Sequence, residues 1–188
     1  MTRTLLIIFS FFVFSSVYSQ NDDWIPAKVI LKNGTWFRGL VKLPTDSRTN
    51  LSSEGKISIK TNKVLFKKNK KSEIVRYGSD TLEEVVFGDE QFATEHYKYV
   101  PIRKNKLVLM ERVISGKVEL YKVYNKYYLF RKGEEKVLQI VDSFNIFYAS
   151  RAKKYFSDCD KIVYYLENEL YTLDNLYELV DDYNLLCN

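Results

Sequence analysis

Short polar joints interrupt the chain repeatedly between residues 27 and 142, and this limits its fold more than any other feature. Asn33-Gly34 separates two strand-like runs, Ala27–Lys32 and Thr35–Val41. Asn-Gly is a strong two-residue hairpin signal, because a type I′ turn needs positive φ at both central positions. Thr61-Asn62 separates Lys56–Lys60 from Lys63–Lys67 in the same way, with Ile57/Ile59 and Val64/Phe66 at alternating positions. Further strands are expected at Glu73–Tyr77, Leu82–Phe87, Phe92–Tyr99, Lys106–Val113, Lys117–Tyr124, Lys126–Arg131 and Glu135–Val141. Gly78-Ser79-Asp80, Gly88-Asp89-Glu90, Ser115-Gly116 and Lys132-Gly133 join them. Joints this short do not allow parallel crossovers, so neighbouring strands pair antiparallel. The expectation is an antiparallel β-meander of about eight to ten strands, built as a sheet, roll or sandwich. Its longest polar loop is Pro44–Gly55.

After Asp142 the apolar spacing changes from two to three and four, the helical period. The last glycine is Gly133, and 55 residues follow it. A first short helix is expected over Asn145–Phe156. Ser157 can cap a second, with Asp160 in its first turn and a stripe of Cys159, Ile162, Val163, Leu166 and Leu170. A third runs from Leu173 to Leu186, with Leu176, Leu179, Val180, Tyr183 and Cys187 on one face. No linker separates strands from helices. The fold class is therefore α+β, with residues 20–188 as a single domain: a β-rich body over 27–142 and a helical tail over 143–188 packed on it.

The first nineteen residues read as a secretory signal peptide. Met1–Arg3 is a short basic start, Leu5–Phe14 an apolar run, and Ser15–Ser19 a small-residue exit with Val17 and Ser19 placed for a cut before Gln20. Thr4–Val17 is fourteen residues, short of the roughly twenty that span a bilayer. No cysteine stands at the cut, which disfavours a lipid anchor, and no transmembrane segment is expected after cleavage. The expected location is exported, periplasmic or secreted. Outside the cytosol disulfides persist, so Cys159 and Cys187 form a candidate bridge; two buried thiols are the alternative. A loop of about 29 residues gains about 3–4 kcal/mol from a bridge in the chain-entropy account.

Several short motifs occur together: Asn33-Gly34-Thr35-Trp36 leading to Gly39, Lys56-Ile57-Ser58-Ile59-Lys60, Ser115-Gly116-Lys117-Val118-Glu119-Leu120-Tyr121, Ser157-Asp158-Cys159, and Tyr183-Asn184 before Cys187. With these the chain resembles a group of uncharacterised exported proteins of Bacteroidota-type bacteria. The resemblance implies an envelope or secreted location and paired cysteines. It carries over no catalytic residues.

Composition removes most catalytic classes. One histidine cannot build a zinc site of two or three imidazoles. Seven glycines, none close-spaced, leave no P-loop and no dinucleotide fingerprint. No Gly-x-Ser-x-Gly elbow and no Asp-x-Asp-x-Asp-Gly loop is present. The sole histidine, His96, has Thr94 and Glu95 as chain neighbours, but adjacent strand positions face opposite ways. It reads as a structural histidine. Glu83, Glu84, Asp89, Glu90, Glu111 and Glu119 could supply a glycosidase pair, although in a chain with 24 acids some pairing arises by chance. No catalytic, cofactor-binding or metal-ligating residue is assigned. No cofactor is expected.

The net charge of +5 conceals two opposed blocks. Residues 56–76 hold eight basic residues against Glu73 alone, and residues 157–188 hold eight acids against Lys161 alone. Charge blocks can steer a protein to a charged surface, or simply coat a hairpin tip and helix faces. Lys63, Lys67, Lys68, Lys70 and Lys71 are the candidate anion-binding residues. An exported protein meets lipid headgroups, phosphates or acidic glycans rather than nucleic acid. The expected function is binding or structural, non-catalytic, at the cell envelope, with an envelope protein or an anionic surface as partner. The alternative is an exported hydrolase acting on glycans or peptides.

Overall fold

The computed structural model describes residues 24–44, 63–88, 93–140 and 147–187. The signal segment, residues 45–55 of the long loop, the strand expected at Lys56–Lys60 and the Asp89-Glu90 joint lie outside the described residues.

The described residues form ten strands and then three helices. The strands are β1 (Ile25–Leu31), β2 (Trp36–Lys42), β3 (Val64–Lys67), β4 (Val75–Tyr77), β5 (Leu82–Gly88), β6 (Ala93–Arg103), β7 (Lys106–Ile114), β8 (Val118–Val123), β9 (Lys126–Arg131) and β10 (Leu138–Gln139). The helices are α1 (Tyr148–Tyr155), α2 (Asp160–Glu167) and α3 (Leu176–Leu186). All strand pairs are antiparallel in one sheet, ordered β10-β9-β8-β7-β6-β5-β1-β2-β3-β4. The α+β architecture is therefore an antiparallel meander followed by short helices. It is made of two meanders, β1–β4 and β5–β10, joined where β5 pairs with β1 rather than with β4.

That join forces curvature. Three strands lie between β4 and β5, which in a flat sheet places them about 19 Å apart. Only Gly78–Thr81 connects them, and this segment is folded into a turn by the Leu82 N–H on the Gly78 carbonyl at 2.8 Å. The sheet must curl for so short a connection to close. Inside the roll lie Val29, Val41, Val64, Leu82, Val85 and Phe87, with Tyr97 and Leu109 from β6 and β7. The Tyr99 phenol reaches across to the backbone of Val64; burial, with Asp80 beside it, pushes its pKa up to about 12.

The opposite face of the sheet is covered further along. Val100, Val108, Met110, Tyr121, Val123, Tyr128 and Val137 form a second core there, closed where the Val137 N–H donates to the Pro101 carbonyl of β6 at 2.8 Å. A third core returns to the first face, where Ile114, Val118, Leu120 and Leu129 meet Ala152, Phe156, Ile162, Leu179 and Tyr183 of the helical region.

Local details depart from the sequence pattern for identifiable reasons. In the Asn33-Gly34 turn only Gly34 has positive φ (84°). The Leu31 N–H bonds the Thr35 carbonyl at 2.8 Å with three residues between them, and the Asn33 carboxamide accepts the Thr35 N–H at 3.0 Å instead of Asn33 entering the left-handed region. The last strand keeps only Leu138–Gln139, because the Glu134 carboxylate takes the Arg131 N–H at 2.9 Å and turns the chain first. Ser157 is not the cap of α2. The Cys159 N–H bonds the Phe156 carbonyl at 3.0 Å, so Ser157 sits in a turn and the N-cap is Cys159. Leu170 leaves the apolar stripe and is exposed, since α2 ends at Glu167 and Glu169 turns the chain through φ 57°.

Cys159 and Cys187 form a disulfide with a Cα–Cα distance of 5.8 Å. It joins the start of α2 to the end of α3. Arg131 stands beside it, its guanidinium bidentate on Asp158 at 2.8 and 3.0 Å and 4.7 and 5.0 Å from the ring centroids of Tyr155 and Tyr183. Tyr183 donates to the same carboxylate at 2.8 Å. Asn184 closes the contact with the sheet. Its Oδ1 accepts the Val118 N–H at 2.8 Å and its Nδ2 donates to the Val118 carbonyl at 2.9 Å. Gly116 makes room, since a Cβ there would stand 2.4 Å from the Asn184 amide.

Candidate functional site

Side chains alternate across a strand, so register decides which charges share a face. Lys28 pairs with Arg38, Leu40 with Lys67, and Leu65 with both Lys42 and Arg76. The buried partners Ala27, Val29, Val41, Val64 and Phe66 take the alternate positions and line the roll. Lys28, Arg38, Lys42, Lys67 and Arg76 therefore all lie on its outer face. They are the only charged residues of β1–β4, and all five are basic. Trp36, opposite Ile30, belongs to the same face. Gly39 lets the strands close up beneath it: a Cβ there would stand 2.5 Å from the Lys67 carbonyl and 2.7 Å from the Phe66 ring.

Two of these cations rest on indoles. The Lys28 ammonium lies 4.8 Å from the Trp36 ring centroid and the Lys67 ammonium 4.1 Å from that of Trp24. Such contacts hold a cation over an aromatic face. Lys67 is buried and is not presented as the other sequence candidates are. Lys63, Lys68, Lys70 and Lys71 are exposed, the last three in the bend between β3 and β4. There Asn69 shapes the tip, accepting the Lys71 N–H at 2.9 Å. The run of lysines was visible in the sequence. The strand cations Lys28, Arg38 and Lys42 were missed, because they are spaced out and only the parity of their positions connects them.

The sole histidine sits in a charged ladder across β5–β8. His96 Nδ1 lies 2.8 Å from Glu84 Oε1, which also accepts Arg112 at 2.8 Å. Arg112 reaches Glu119 at 3.5 Å, and Tyr121 donates to Glu119 at 2.8 Å. Burial, with Glu119 beside it, drives the Tyr121 phenol pKa well above its ordinary value. One guanidinium thus holds both Glu84 and Glu119. Glu83 pairs with Lys98 at 3.2 Å near the surface. Among the described residues no group of three or more His, Cys, Asp or Glu side chains could hold a metal, and no helix is long and apolar enough to cross a membrane.

The chain matches no known protein family, no curated protein and no solved structure.

Proposed function

We propose that this is an exported, non-catalytic binding protein of the cell envelope, periplasmic or secreted, that works through the cationic outer face of β1–β4. The observation that carries this reading is the segregation of charge. Every charged residue of four strands is basic and on one side, and the exposed lysines of the β3–β4 bend extend the same end of the sheet. Basic side chains gathered on one face of the sheet suit an anionic partner, a lipid headgroup or a glycan. The disulfide favours export, since such bonds persist in oxidising compartments. The resemblance to exported proteins of Bacteroidota-type bacteria agrees with it.

Of the acids considered for a hydrolase, Glu84 and Glu119 share Arg112 and so are not released for proton transfer. The binding reading is tested by retention on heparin beads and co-sedimentation with anionic vesicles. Combined Lys28→Gln, Arg38→Gln and Arg76→Gln should weaken both retention and its salt dependence. Retention that ignores salt and these substitutions would refute it.

A further inference from the structure

The cationic face carries one broadly exposed indole. Trp36 is 54% exposed, and Lys28 covers one side of its ring at 4.8 Å. A lipid surface and a sugar chain both offer anions, but the shape of the face separates them. The five cations occupy the outside of a roll, spread from Lys28 on β1 to Arg76 on β4. Outward directions diverge on a convex surface, which suits a flat bilayer less than a ligand that can bend. A flexible linear polyanion can follow the curvature. A sugar ring adds what a headgroup lacks: an apolar C–H face that stacks on an indole while its charged substituent reaches a neighbouring cation.

We infer that this face binds a linear acidic polysaccharide, with carboxylate or sulfate groups on Lys28, Arg38 and Arg76 and one sugar ring stacked on Trp36. The inference rests on the reading of the same face as the working surface. It deepens that reading by naming the ligand class.

The test uses the exported chain with its disulfide intact and four probes: a heparin decasaccharide, its desulfated counterpart, vesicles containing phosphatidylglycerol, and oligodeoxythymidylate. The decasaccharide should bind by calorimetry, and removal of sulfate should weaken binding at least about tenfold. Trp36→Ala should cost about tenfold, as loss of a stacking platform does, while Trp36→Phe should retain most of the affinity. Lys28→Gln with Arg38→Gln should cost about tenfold and flatten the salt dependence. Near-UV circular dichroism identifies any variant that fails to fold, and the Trp36→Phe comparison then decides the stacking role. Equal affinity of wild type and a folded Trp36→Ala variant would overturn the inference. So would tighter binding of vesicles or oligodeoxythymidylate than of the saccharide. If vesicles bind through Lys28 and Arg38 while saccharides do not, the glycan assignment falls and the anionic-surface reading stands. If no polyanion binds, both fall.

Discussion

The helical end and the β1–β4 end of the molecule use charge in opposite ways. At the helical end charged groups are tied to partners that hold the fold. Arg131 grips Asp158 between two tyrosine rings, and Lys117 donates to the Cys187 carbonyl at 3.0 Å. At the other end five cations share one face with no acid in the same strands. Networks of mixed sign bring elements together, whereas basic side chains gathered on one face suit an anion outside the protein. The two ends should therefore respond differently to substitution.

The largest effect is expected from the disulfide. Cys159→Ala with Cys187→Ala should lower stability by about 3 kcal/mol, read by denaturant unfolding, and should loosen the helices while leaving polyanion retention intact. Asn184→Ala strips Val118 of partners for both its N–H and its carbonyl, and should cost about 2–3 kcal/mol. Its effect on hydrogen exchange should centre on α3 and β8. Gly39→Ala meets backbone at 2.5 Å and should cost about 2 kcal/mol. This is the lesion expected to damage stability and binding together, because it spreads the strands that carry the cations.

A smaller effect concerns acid. Burial raises the Asp158 pKa, but the Arg131 and Tyr183 hydrogen bonds outweigh it and hold the carboxyl below its ordinary value. A depressed folded-state pKa stabilises above the ordinary carboxylate range, and that contribution is lost as pH falls through the folded value. Asp158→Asn should flatten the acid limb of a stability–pH curve, whereas Arg76→Gln should leave it unchanged. The smallest effect separates the two ends most clearly. Arg76→Gln should leave stability within a few tenths of a kcal/mol, measured as a thermal midpoint, while weakening polyanion binding. A clear loss of stability instead would mean that Arg76 serves the fold as Arg131 does.

Local chemistry made much of this legible in the sequence. Apolar spacing placed α3, whose Leu176, Leu179, Val180 and Tyr183 are all buried, and short joints announced antiparallel pairing. Cys159 and Cys187 each continued an apolar stripe, which suited a bridge. Non-local pairing was hidden. Nothing in β5 marks β1 as its partner, so neither the curl nor the position of the cations on its outside could be read. A count of lysines per run favoured 63–71, and it included Lys67, whose ammonium lies against Trp24. Parity along β1 and β2 was the more informative signal. It becomes meaningful only once the inward face is known.

Strand β6 has a genetic consequence. Its Tyr97 and Tyr99 belong to the core inside the roll, while Val100 and Ile102 belong to the core on the other side. A one-codon insertion or deletion within β6 would send each set to the wrong face and empty two cores at once. The same change at Lys104-Asn105, between β6 and β7, would alter only a turn. Indels tolerated across a population of such genes should therefore crowd at the hairpin tip and vanish a few codons before it.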